Sequence, residues 1–476
     1  MAKTAPYVGT KDYIYDDFAV LDYIFWVWKT TLLKLGYDQY ILPLVEHVEM
    51  FTKSGDDLAQ KELYDFKDKG GRHIAIRPEA TPGTARMIAK LYRSARKPIR
   101  VFSILNFMRY ERPQAGRLRE FWQLNVDAFG KDTFLMDAEI LGIVNQIMHA
   151  FGAPAGSFKI LVNSRQLMDS IINIVLQGQV NTKSRAATHA TIRTKTLKPA
   201  LYRIIDKYTK ISKQEMSKML HDLGLARQEI DFFLELGAIK LTNLQSALSK
   251  FIQKAQKNNL HIYIDEFNAS LARLSETLDL VKDLGPFEFA PYIVRGLDYY
   301  DGIVFEVFEA TGKIRRALAG GGRYNSLGKM FGIDAPAVGF GMGNVTLAQF
   351  LETYNLLPTQ DAAQQDPKTL VYVPVLDYAA YPTLLKIAQN VDTLIKHANK
   401  KIKQFAKSQV TIKLYKVLSE QKAIPECLPK YRVQLGSQLE SVPQALRTAN
   451  KINADYVVIL GTDELGANVI TVKYLR

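Results

Sequence analysis

The sequence predicts an α+β protein with a mainly antiparallel core sheet, a helical insertion and a C-terminal α/β domain. Two long alternating segments over 99–129 flank a polar loop, which is typical of antiparallel strands. The pattern is almost wholly helical from about 166 to 265, and short strands alternate with helices after 369. A chain of 476 residues is long enough for about three domains. The predicted parts are a core (1–165 and 266–354), a helical insertion (166–265), a linker (355–368) and a C-terminal domain (369–476).

The first third of the core begins with an amphipathic pattern from Asp16 to Leu35, and Gly36 ends this helix. Residues 40–51 then indicate an extended segment. Residues 64–77 indicate a hairpin that turns at Gly70 and Gly71. Further along the chain, the pattern indicates helices over 135–151 and 164–178, a short strand near 158–162, and strands with glycine-rich segments over 292–347.

The composition excludes several classes of protein. Apolar residues make up 47% and charged residues 23%, which is ordinary for a globular chain and unlike a disordered one. The single cysteine, Cys427, excludes a disulfide framework and a Cys-based zinc site. The seven histidines show no metal-ligand spacing, so no metal site is predicted. No stretch reaches about 18 apolar residues, and the N-terminus has no signal-peptide core. We therefore expect a soluble, cytoplasmic protein with no membrane contact.

The net charge of +14 is concentrated in two stretches. From Lys183 to Lys210 there are eight basic residues against one acid, Asp206, and from Lys396 to Lys416 there are seven lysines and no acid. Two separated basic stretches suit a long polyanion that contacts the protein in two places. Each stretch is equally compatible with a solvated surface.

One face of the sheet predicted from 99–129 is strongly polar. Residues two apart in a strand share a face, which groups Phe121, Gln123, Asn125 and Asp127. If the hairpin turns near Ala115–Gly116, Arg109 lies opposite Gln123, and Glu111 shares the face of Arg109. Unpaired buried charges are too costly for a core, so this face is either solvated or a polar ligand site.

Two glycine-rich segments and one charged loop carry weaker signals. Gly320–Gly322 could form a tight turn or allow the backbone to approach a ligand closely. The Gly339-x-Gly341-x-Gly343 spacing does not match a dinucleotide-binding fingerprint. Arg295-Gly-Leu-Asp-Tyr-Tyr300 could by itself be an ordinary loop. The sequence contains neither a G-x-S-x-G elbow nor a P-loop, so α/β-hydrolase and P-loop functions have no support.

Taken in order, several segments resemble the histidyl-tRNA synthetases, a family of class II aminoacyl-tRNA synthetases. The Arg-Gly-Leu-Asp-Tyr-Tyr run is tied to histidine rather than to class II enzymes at large. The resemblance implies a class II catalytic core and a C-terminal α/β anticodon-binding domain. The segments that carry it are Gly36-Tyr37 to Leu42-Pro43, Arg77-Pro-Glu-Ala-Thr81, Arg109-Tyr-Glu-Arg-Pro-Gln-Ala-Gly-Arg117, Phe121-Trp-Gln123, Arg295–Tyr300, Gly320–Tyr324, Ala337–Phe340 and Ala454–Leu465.

The resemblance also implies two sets of site residues. The histidine-binding set is Glu79, Thr81, Gln123, Asp127, Tyr299 and Tyr300. The ATP-binding set is Arg109, Glu111, Arg117 and Phe121, and the catalytic residues are Arg109 and Arg295. Arg109 is expected on the α-phosphate and Glu111 on the adenine amino group. Arg295 is expected between the histidine carboxylate and the α-phosphate.

The implied activity is histidine–tRNA ligation. ATP with Mg²⁺ activates L-histidine to histidyl-adenylate, and the 3′ end of tRNA(His) then accepts the histidyl group. No prosthetic group is implied. The implied partners are tRNA(His), L-histidine and ATP, with a homodimer formed through the motif 1 region around Pro43.

Two positions depart from the family pattern. Thr346 occupies the place of the motif 3 arginine that holds the ATP tail. Either another cation, such as Arg119, Arg316 or Arg323, holds the γ-phosphate instead, or ATP binding is weakened. Asn125 stands where glycine is common. Two alternative functions are therefore considered. One is a synthetase-like regulatory subunit of ATP phosphoribosyltransferase type that does not charge tRNA, and the other is a non-catalytic RNA-binding protein.

Overall fold

The computed structural model describes residues 5–52, 62–114, 116–177, 186–257, 261–294, 299–357, 369–405, 409–413 and 431–475. The strands are β1 (Asp38–Gln39), β2 (Val45–His47), β3 (Tyr64–Lys67), β4 (His73–Ile76), β5 (Ile99–Met108), β6 (Glu120–Phe129), β7 (Phe158–Ser164), β8 (Phe287–Phe289), β9 (Ile303–Glu309), β10 (Ala319–Arg323), β11 (Ala337–Gly343), β12 (Thr369–Val375), β13 (Gln409–Lys413), β14 (Tyr431–Leu439), β15 (Tyr456–Ile459) and β16 (Val469–Tyr474).

The helices are α1 (Tyr15–Lys34), α2 (Glu49–Thr52), α3 (Thr81–Leu91), α4 (Phe134–Ala150), α5 (Arg165–Gln177), α6 (Ala186–Ile205), α7 (Lys213–Asp222), α8 (Arg227–Leu234), α9 (Leu244–Ala247), α10 (Ser249–Lys257), α11 (His261–Val281), α12 (Asn344–Thr353), α13 (Tyr381–Gln389), α14 (Val391–Phe405), α15 (Val442–Lys451) and α16 (Thr462–Gly466).

An eight-stranded sheet forms the centre of the core, in the order β1-β5-β6-β11-β10-β9-β7-β8. Only the outer pairs β1–β5 and β7–β8 are parallel, and every pair between them is antiparallel. The mainly antiparallel sheet predicted from the sequence is thus confirmed. A smaller antiparallel sheet in the order β2-β4-β3 contains the predicted hairpin.

One face of the large sheet, here called the back face, carries apolar side chains such as Phe102, Leu124 and Val126. Helices α1, α4 and α12 pack against this face, and α1 also packs on both α4 and α12. Trp28 of α1 is fully buried there and donates its indole N–H to Met342 Sδ at 3.3 Å. The alternation of the strands leaves the opposite face, here called the site face, free for the polar residues.

Helices α5 to α11 form the predicted helical segment between β7 and β8. Helix α11 is continuous over His261–Val281 and packs on both α4 and α5. The boundary predicted at 265/266 therefore falls inside a helix, because α11 extends from the helical segment onto the core.

The C-terminal residues form a five-stranded sheet in the order β13-β16-β15-β12-β14, with α13 to α16 as its helices. This domain shares one apolar cluster with the back face of the core. Arg100 Nη2 donates to the Leu435 carbonyl at 2.8 Å, and Tyr381 Oη donates to the Leu135 carbonyl at 3.2 Å. The two parts of the chain are thus packed against each other rather than joined only by a linker.

Two local expectations were wrong. The extended segment predicted over 40–51 ends early, because Glu49–Thr52 forms one helical turn that buries Phe51. The predicted register of the long hairpin is off by four residues, as described below. In the described part of the chain, every helix is too short or too polar to cross a membrane.

Candidate active site

The pairing of β5 with β6 places the predicted site residues on one face. Leu105, rather than Arg109, lies opposite Gln123, and Arg109 N donates to the Arg119 carbonyl at 2.9 Å. Arg109 and Glu111 lie beyond the end of β5 rather than within it. Because an even shift of register keeps each side chain on its face, the site face still carries Phe121, Gln123, Asn125 and Asp127.

The floor of the site face is made of glycine. The β11 residues opposite Gln123, Asn125 and Asp127 are Gly343, Gly341 and Gly339. Their neighbours on β10 include Gly320 and Gly322. A Cβ atom added at Gly339 would lie 2.2 Å from Asp127 Oδ1, and one added at Gly341 would lie 2.5 Å from Gln123 Nε2. The glycines thus leave room above the sheet for polar side chains and a ligand.

Asp127 is a buried carboxylate that forms no ion pair within the described part of the chain. Its Oδ1 accepts a short hydrogen bond from the Tyr324 hydroxyl, whereas no described residue contacts Oδ2 by a hydrogen bond. Burial raises the pKa of Asp127 to about 7, and the hydrogen bond from Tyr324 opposes that rise. A carboxylate with one such oxygen is suited to accept a proton or an N–H donor.

Glu79 and Tyr299 form a second buried polar pair. The Tyr299 hydroxyl donates to Glu79 Oε2 at 2.8 Å, and Thr81, at the start of α3, also hydrogen-bonds to this hydroxyl. Burial raises the pKa of Tyr299 well above its ordinary value, and the Glu79 charge adds to that rise. Glu79 is therefore a buried carboxyl group that Tyr299 holds in place.

Three tyrosine rings enclose this part of the site. The ring centroids of Tyr299, Tyr300 and Tyr324 lie between 5.1 and 6.2 Å apart in edge-to-face arrangements. Burial raises the pKa of Tyr300, and the charge of Glu79 adds to this effect. The rings stay neutral and form a pocket of aromatic walls with hydroxyl groups.

Asn125 orients Gln123 within the site. Gln123 Nε2 donates to Asn125 Oδ1 at 2.6 Å, and Asn125 is almost fully buried. The asparagine at a position where the family commonly has glycine thus holds the amide of a predicted histidine-binding residue.

Arg109 is held in place by two contacts. Its Nε donates to the Pro78 carbonyl at 2.9 Å, and its Cζ lies 5.3 Å from the centre of the Phe121 ring. No hydrogen bond to its Nη atoms is seen among the described residues. Arg109 lines the cavity described below, and two such guanidinium nitrogens can bind an anion bidentately.

Glu111 and Arg117 form an ion pair within the loop that joins β5 to β6. Arg117 Nη2 also lies 3.8 Å from Glu62 Oε1. The roles implied for Glu111 on adenine and for Arg117 on phosphate therefore require that this pair open or share its charges with the ligand.

A cavity of about 1150 Å³ lies along the site face. Five of the predicted residues line it, namely Arg109, Glu111, Arg117, Phe121 and Gln123. Glu79, Asp127 and Tyr299 are buried and do not line it. Asp127 lies four residues along β6 from Gln123, so the open cavity and the buried pocket share one strand. Arg295 lies outside the described residues, and its catalytic role stays a prediction.

The three candidate replacements for the motif 3 arginine have different environments. Arg323 lies on the back face, fully buried, where its Nε donates to Asp137 Oδ1 at 2.7 Å, so it is excluded. Arg119 donates to the Glu111 carbonyl and the Tyr7 hydroxyl. Arg316 lines the cavity, as does Thr346.

Sequence reasoning missed two features of the site. It gave no role to Tyr324, although this residue lies two positions after Gly322 and so continues the alternation of β10. It also excluded a dinucleotide fingerprint at Gly339–Gly343 without recognising that glycine at every second residue can clear one face of a strand. The repeat of glycine at every second residue was the sequence signal that could have revealed this open face.

Comparisons with known proteins give one consistent result. The family model described as histidyl-tRNA synthetase matches residues 27–347. The chain is 32% identical to a histidine–tRNA ligase of Leptospira biflexa, over 99% of this chain and 93% of the relative. It is 30% identical to one of Pyrococcus horikoshii, over 98% and 93%.

Solved structures of similar fold are more distant in sequence. The histidyl-tRNA synthetase of Nostoc sp. PCC 7120 is 19% identical and has a TM-score of 0.60, covering 98% of this chain and 93% of that one. A Bacillus halodurans structure described as an ATP phosphoribosyltransferase regulatory subunit/histidyl-tRNA synthetase is 16% identical, with a TM-score of 0.58 and coverage of 95% and 97%. These two likenesses show the fold.

Proposed function

The chain belongs to the histidyl-tRNA synthetase family, and from this membership we infer that it is a histidine–tRNA ligase whose site face holds histidine and ATP side by side. The observation that carries the inference is the division of the site along β6. Asp127 lies in a buried pocket with Tyr324, whereas Gln123 and Phe121 line an open cavity with Arg109.

We propose that the buried pocket binds histidine. Asp127 accepts an imidazole N–H, and Tyr300 lies on the opposite side of the ring. Glu79, Thr81 and Gln123 bind the ammonium group, and Tyr299 holds the Glu79 carboxylate in place at 2.8 Å. An apolar amino acid would leave these polar groups unpaired, which gives discrimination of about 10⁴ or more without editing.

The cavity next to this pocket is proposed to bind ATP. Arg109 binds the α-phosphate, Glu111 accepts from the adenine amino group, and Phe121 stacks near the base. A histidine carboxylate oxygen attacks the α-phosphorus, and the bond to the bridging oxygen breaks so that pyrophosphate leaves. Arg109 and Arg295 offset the repulsion between carboxylate and phosphate and stabilise the charge on the phosphoryl oxygens.

ATP enters such sites as its Mg²⁺ complex, which needs only one or two protein carboxylates besides phosphate oxygens. Glu306 lines the cavity on β9 and fits this need. Glu309 fits it less well, because its oxygens already accept several hydrogen bonds. The metal would neutralise phosphate charge, and Glu306 would hold it.

In the second step, the terminal ribose hydroxyl of tRNA attacks the adenylate carbonyl carbon, loses its proton, and AMP leaves. We propose that the C-terminal domain binds the anticodon through the exposed lysines of α14, which include Lys396, Lys400 and Lys401. The helical segment is proposed to bind the acceptor arm with Arg203, Lys207 and Lys210, which are exposed. Lys198 is less suited because it is half-buried and pairs with Asp169 at 2.6 Å, whereas Lys210 is exposed and its contact with Asp206 is longer, at 3.5 Å.

A homodimer through the Pro43 region is also proposed. Pro43 is exposed, and the apolar side chains around it are also exposed, with Ile41 at 80%, Leu44 at 45% and Val45 at 38%. A contiguous exposed apolar strip on a globular chain favours a protein partner, and a second copy fits the isologous interface of a dimer. Sedimentation should give twice the chain mass, and a monomer at micromolar concentration would contradict this proposal.

Histidine-dependent exchange of pyrophosphate into ATP tests the proposed function, because it requires adenylate formation. The regulatory-subunit alternative and a passive RNA-binding protein both predict no exchange. Arg295→Ala is expected to abolish exchange while tRNA affinity stays nearly intact. Retention of most of the exchange rate by this variant would refute the role of Arg295.

A further inference from the structure

The cavity on the site face is lined by an arginine, Arg316, for which the described part of the chain shows no partner. Arg316, in the loop between β9 and β10, lines the cavity and forms neither an ion pair nor a side-chain hydrogen bond within the described part of the chain. It is half-buried, whereas its neighbour Arg315 is exposed. A desolvated guanidinium without a counter-charge favours an anionic ligand.

Two other arginines of the cavity lining, Arg117 and Arg109, are already engaged, and the remaining one, Arg315, is exposed to solvent. Arg117 pairs with Glu111, and Arg109 is held by Pro78 and Phe121 in the position proposed for the α-phosphate. Arg119 does not line the cavity, and its guanidinium donates to the Glu111 carbonyl and to the Tyr7 hydroxyl. A triphosphate bound with its α-phosphate at Arg109 therefore still needs a cation for its outer phosphates.

Arg316 lies beside the helix that carries Thr346. A Cβ atom added at Gly116 would lie 3.5 Å from Arg316 Cδ and 3.0 Å from Gln349 Oε1. Gln349 is three residues after Thr346 on α12, which is about one helical turn. Arg316 thus projects between the β5–β6 loop and α12, the two elements that flank the cavity at this end.

Glu309 fixes the loop that presents Arg316. Its carboxylate accepts from Thr311 N at 2.9 Å, Thr311 Oγ1 at 2.7 Å and Lys313 N at 2.8 Å. It also accepts from the Tyr354 hydroxyl at 2.5 Å, at the end of α12. Burial opposes ionisation of Glu309, but these hydrogen bonds outweigh it and lower its pKa to about 2. The loop is therefore held against α12 at any neutral pH, before a ligand binds.

We propose that Arg316 binds the β- and γ-phosphates of ATP and so replaces, from a different element of the fold, the cation that Thr346 cannot supply. This inference rests on the proposed function only for the identity of the triphosphate. A guanidinium that is already positioned loses little conformational freedom when it binds a phosphate. An arginine on this fixed loop can therefore replace an arginine at position 346 of α12.

Calorimetric titration of the full chain with ATP·Mg²⁺ and with AMP tests the proposal. Arg316→Ala should raise the Kd for ATP about tenfold to hundredfold, as expected for loss of a charge-assisted hydrogen bond. It should change the Kd for AMP by less than about twofold, because AMP lacks the outer phosphates. Lys313→Ala is the matched control, since it removes one charge from the same loop outside the cavity lining and should change neither value.

A rescue variant makes the test stricter. Thr346→Arg added to Arg316→Ala should restore most of the ATP affinity, because it presents a guanidinium to the same cavity from α12. Arg316→Lys should retain part of the affinity as a point charge. Arg316 makes no hydrogen bond in the described structure, so its removal is not expected to unfold the protein.

The outcomes separate this inference from the proposed function. An unchanged Kd for ATP in Arg316→Ala, an equal loss for AMP, or a loss seen with Arg315→Ala instead would overturn the role of Arg316. If the unaltered protein shows no histidine-dependent exchange but Arg316→Ala still weakens ATP binding selectively, the ligase function fails and the triphosphate site stands.

Discussion

The two faces of the eight-stranded sheet both bury charged groups, but they pair them differently. On the back face, Arg100 donates to both carboxylate oxygens of Glu139 at 2.7 Å, and Arg323 pairs with Asp137. Burial alone would lower the pKa of Arg100, but the charge and hydrogen bonds of Glu139 outweigh it and raise that pKa. On the site face, Asp127 contacts a phenol and no cation among the described residues.

This difference teaches how to separate structural charges from functional ones within a single sheet. A buried charge that meets an opposite charge recovers part or all of its desolvation cost, and removing its partner is strongly destabilising. A buried carboxylate with a raised pKa and one oxygen without a partner reduces stability, and such a group suits a ligand that supplies the missing donor.

The same carboxylate-to-amide change on each face should give the largest effects. Glu139→Gln leaves Arg100 without its counter-charge and should cost about 3–5 kcal/mol of stability. Asp127→Asn should lower kcat/KM for histidine by about 10³-fold or more, because imidazole recognition is lost. Thermal unfolding and pyrophosphate exchange measure the two effects.

The sign of the Asp127 effect on stability depends on pH. The carboxyl ionises near its ordinary pKa of 3.8 in the unfolded chain but only at about 7 in the folded protein. Its contribution to stability therefore falls between these pH values and stays lost above 7. At pH 8, Asp127→Asn should be as stable as the unaltered protein or more stable. A large fall in its unfolding midpoint would contradict the division between the faces.

Substituting one glycine on each face by alanine gives a matched pair of variants with smaller expected effects. A Cβ atom at Gly321, on the back face, would lie 2.3 Å from the Gly339 carbonyl oxygen and 2.4 Å from Phe340 Cβ. Gly321→Ala should therefore destabilise the protein by about 1–3 kcal/mol. At Gly341 the close contacts are only with the Gln123 amide, which can move. Gly341→Ala should keep the unfolding midpoint but raise KM for histidine about tenfold, and equal midpoints for both variants would argue against this reasoning.

The smallest expected effect is a shift in a pH profile. The Tyr324 hydrogen bond opposes the rise in the pKa of Asp127, so Tyr324→Phe should move that pKa above about 7. The acidic limb of kcat/KM for histidine should then shift to higher pH. The imidazole of the substrate titrates in the same way with the unaltered protein and with Tyr324→Phe. It therefore does not contribute to the difference between their two pH profiles. An unchanged profile would show that Tyr324 does not position Asp127.

The sequence was sufficient to predict which residues share the site face. It was insufficient to predict which residues of the two long strands lie opposite each other. Alternation along β6 grouped Gln123, Asn125 and Asp127 correctly, because the pleat of a strand fixes which side chains share a face. The predicted register was wrong because it took the turn at Gly116 as the centre of the hairpin. That turn only closes a local bridge between Gln114 and Arg117 within the loop.

Contacts between distant segments were beyond local patterns. Arg323 was a reasonable candidate for phosphate binding from its position after three glycines, but β10 directs it to the back face and Asp137. The pairing of Arg100 with Glu139 and with the Leu435 carbonyl joins residues 39 and 335 positions apart. Periodicity and turn signals carry no information about such pairs. The roles of Arg295 and of the other predicted binding residues stay predictions.

The contact between Arg100 and Leu435 bears on how this architecture can change over evolutionary time. A C-terminal unit attached only by a flexible tether can be deleted, duplicated or exchanged with little harm to its neighbour. Here its removal would uncover the apolar surface of α1 and α4 and leave a buried guanidinium with one fewer acceptor. Shortened descendants of this chain would first have to acquire a new polar exterior at that position.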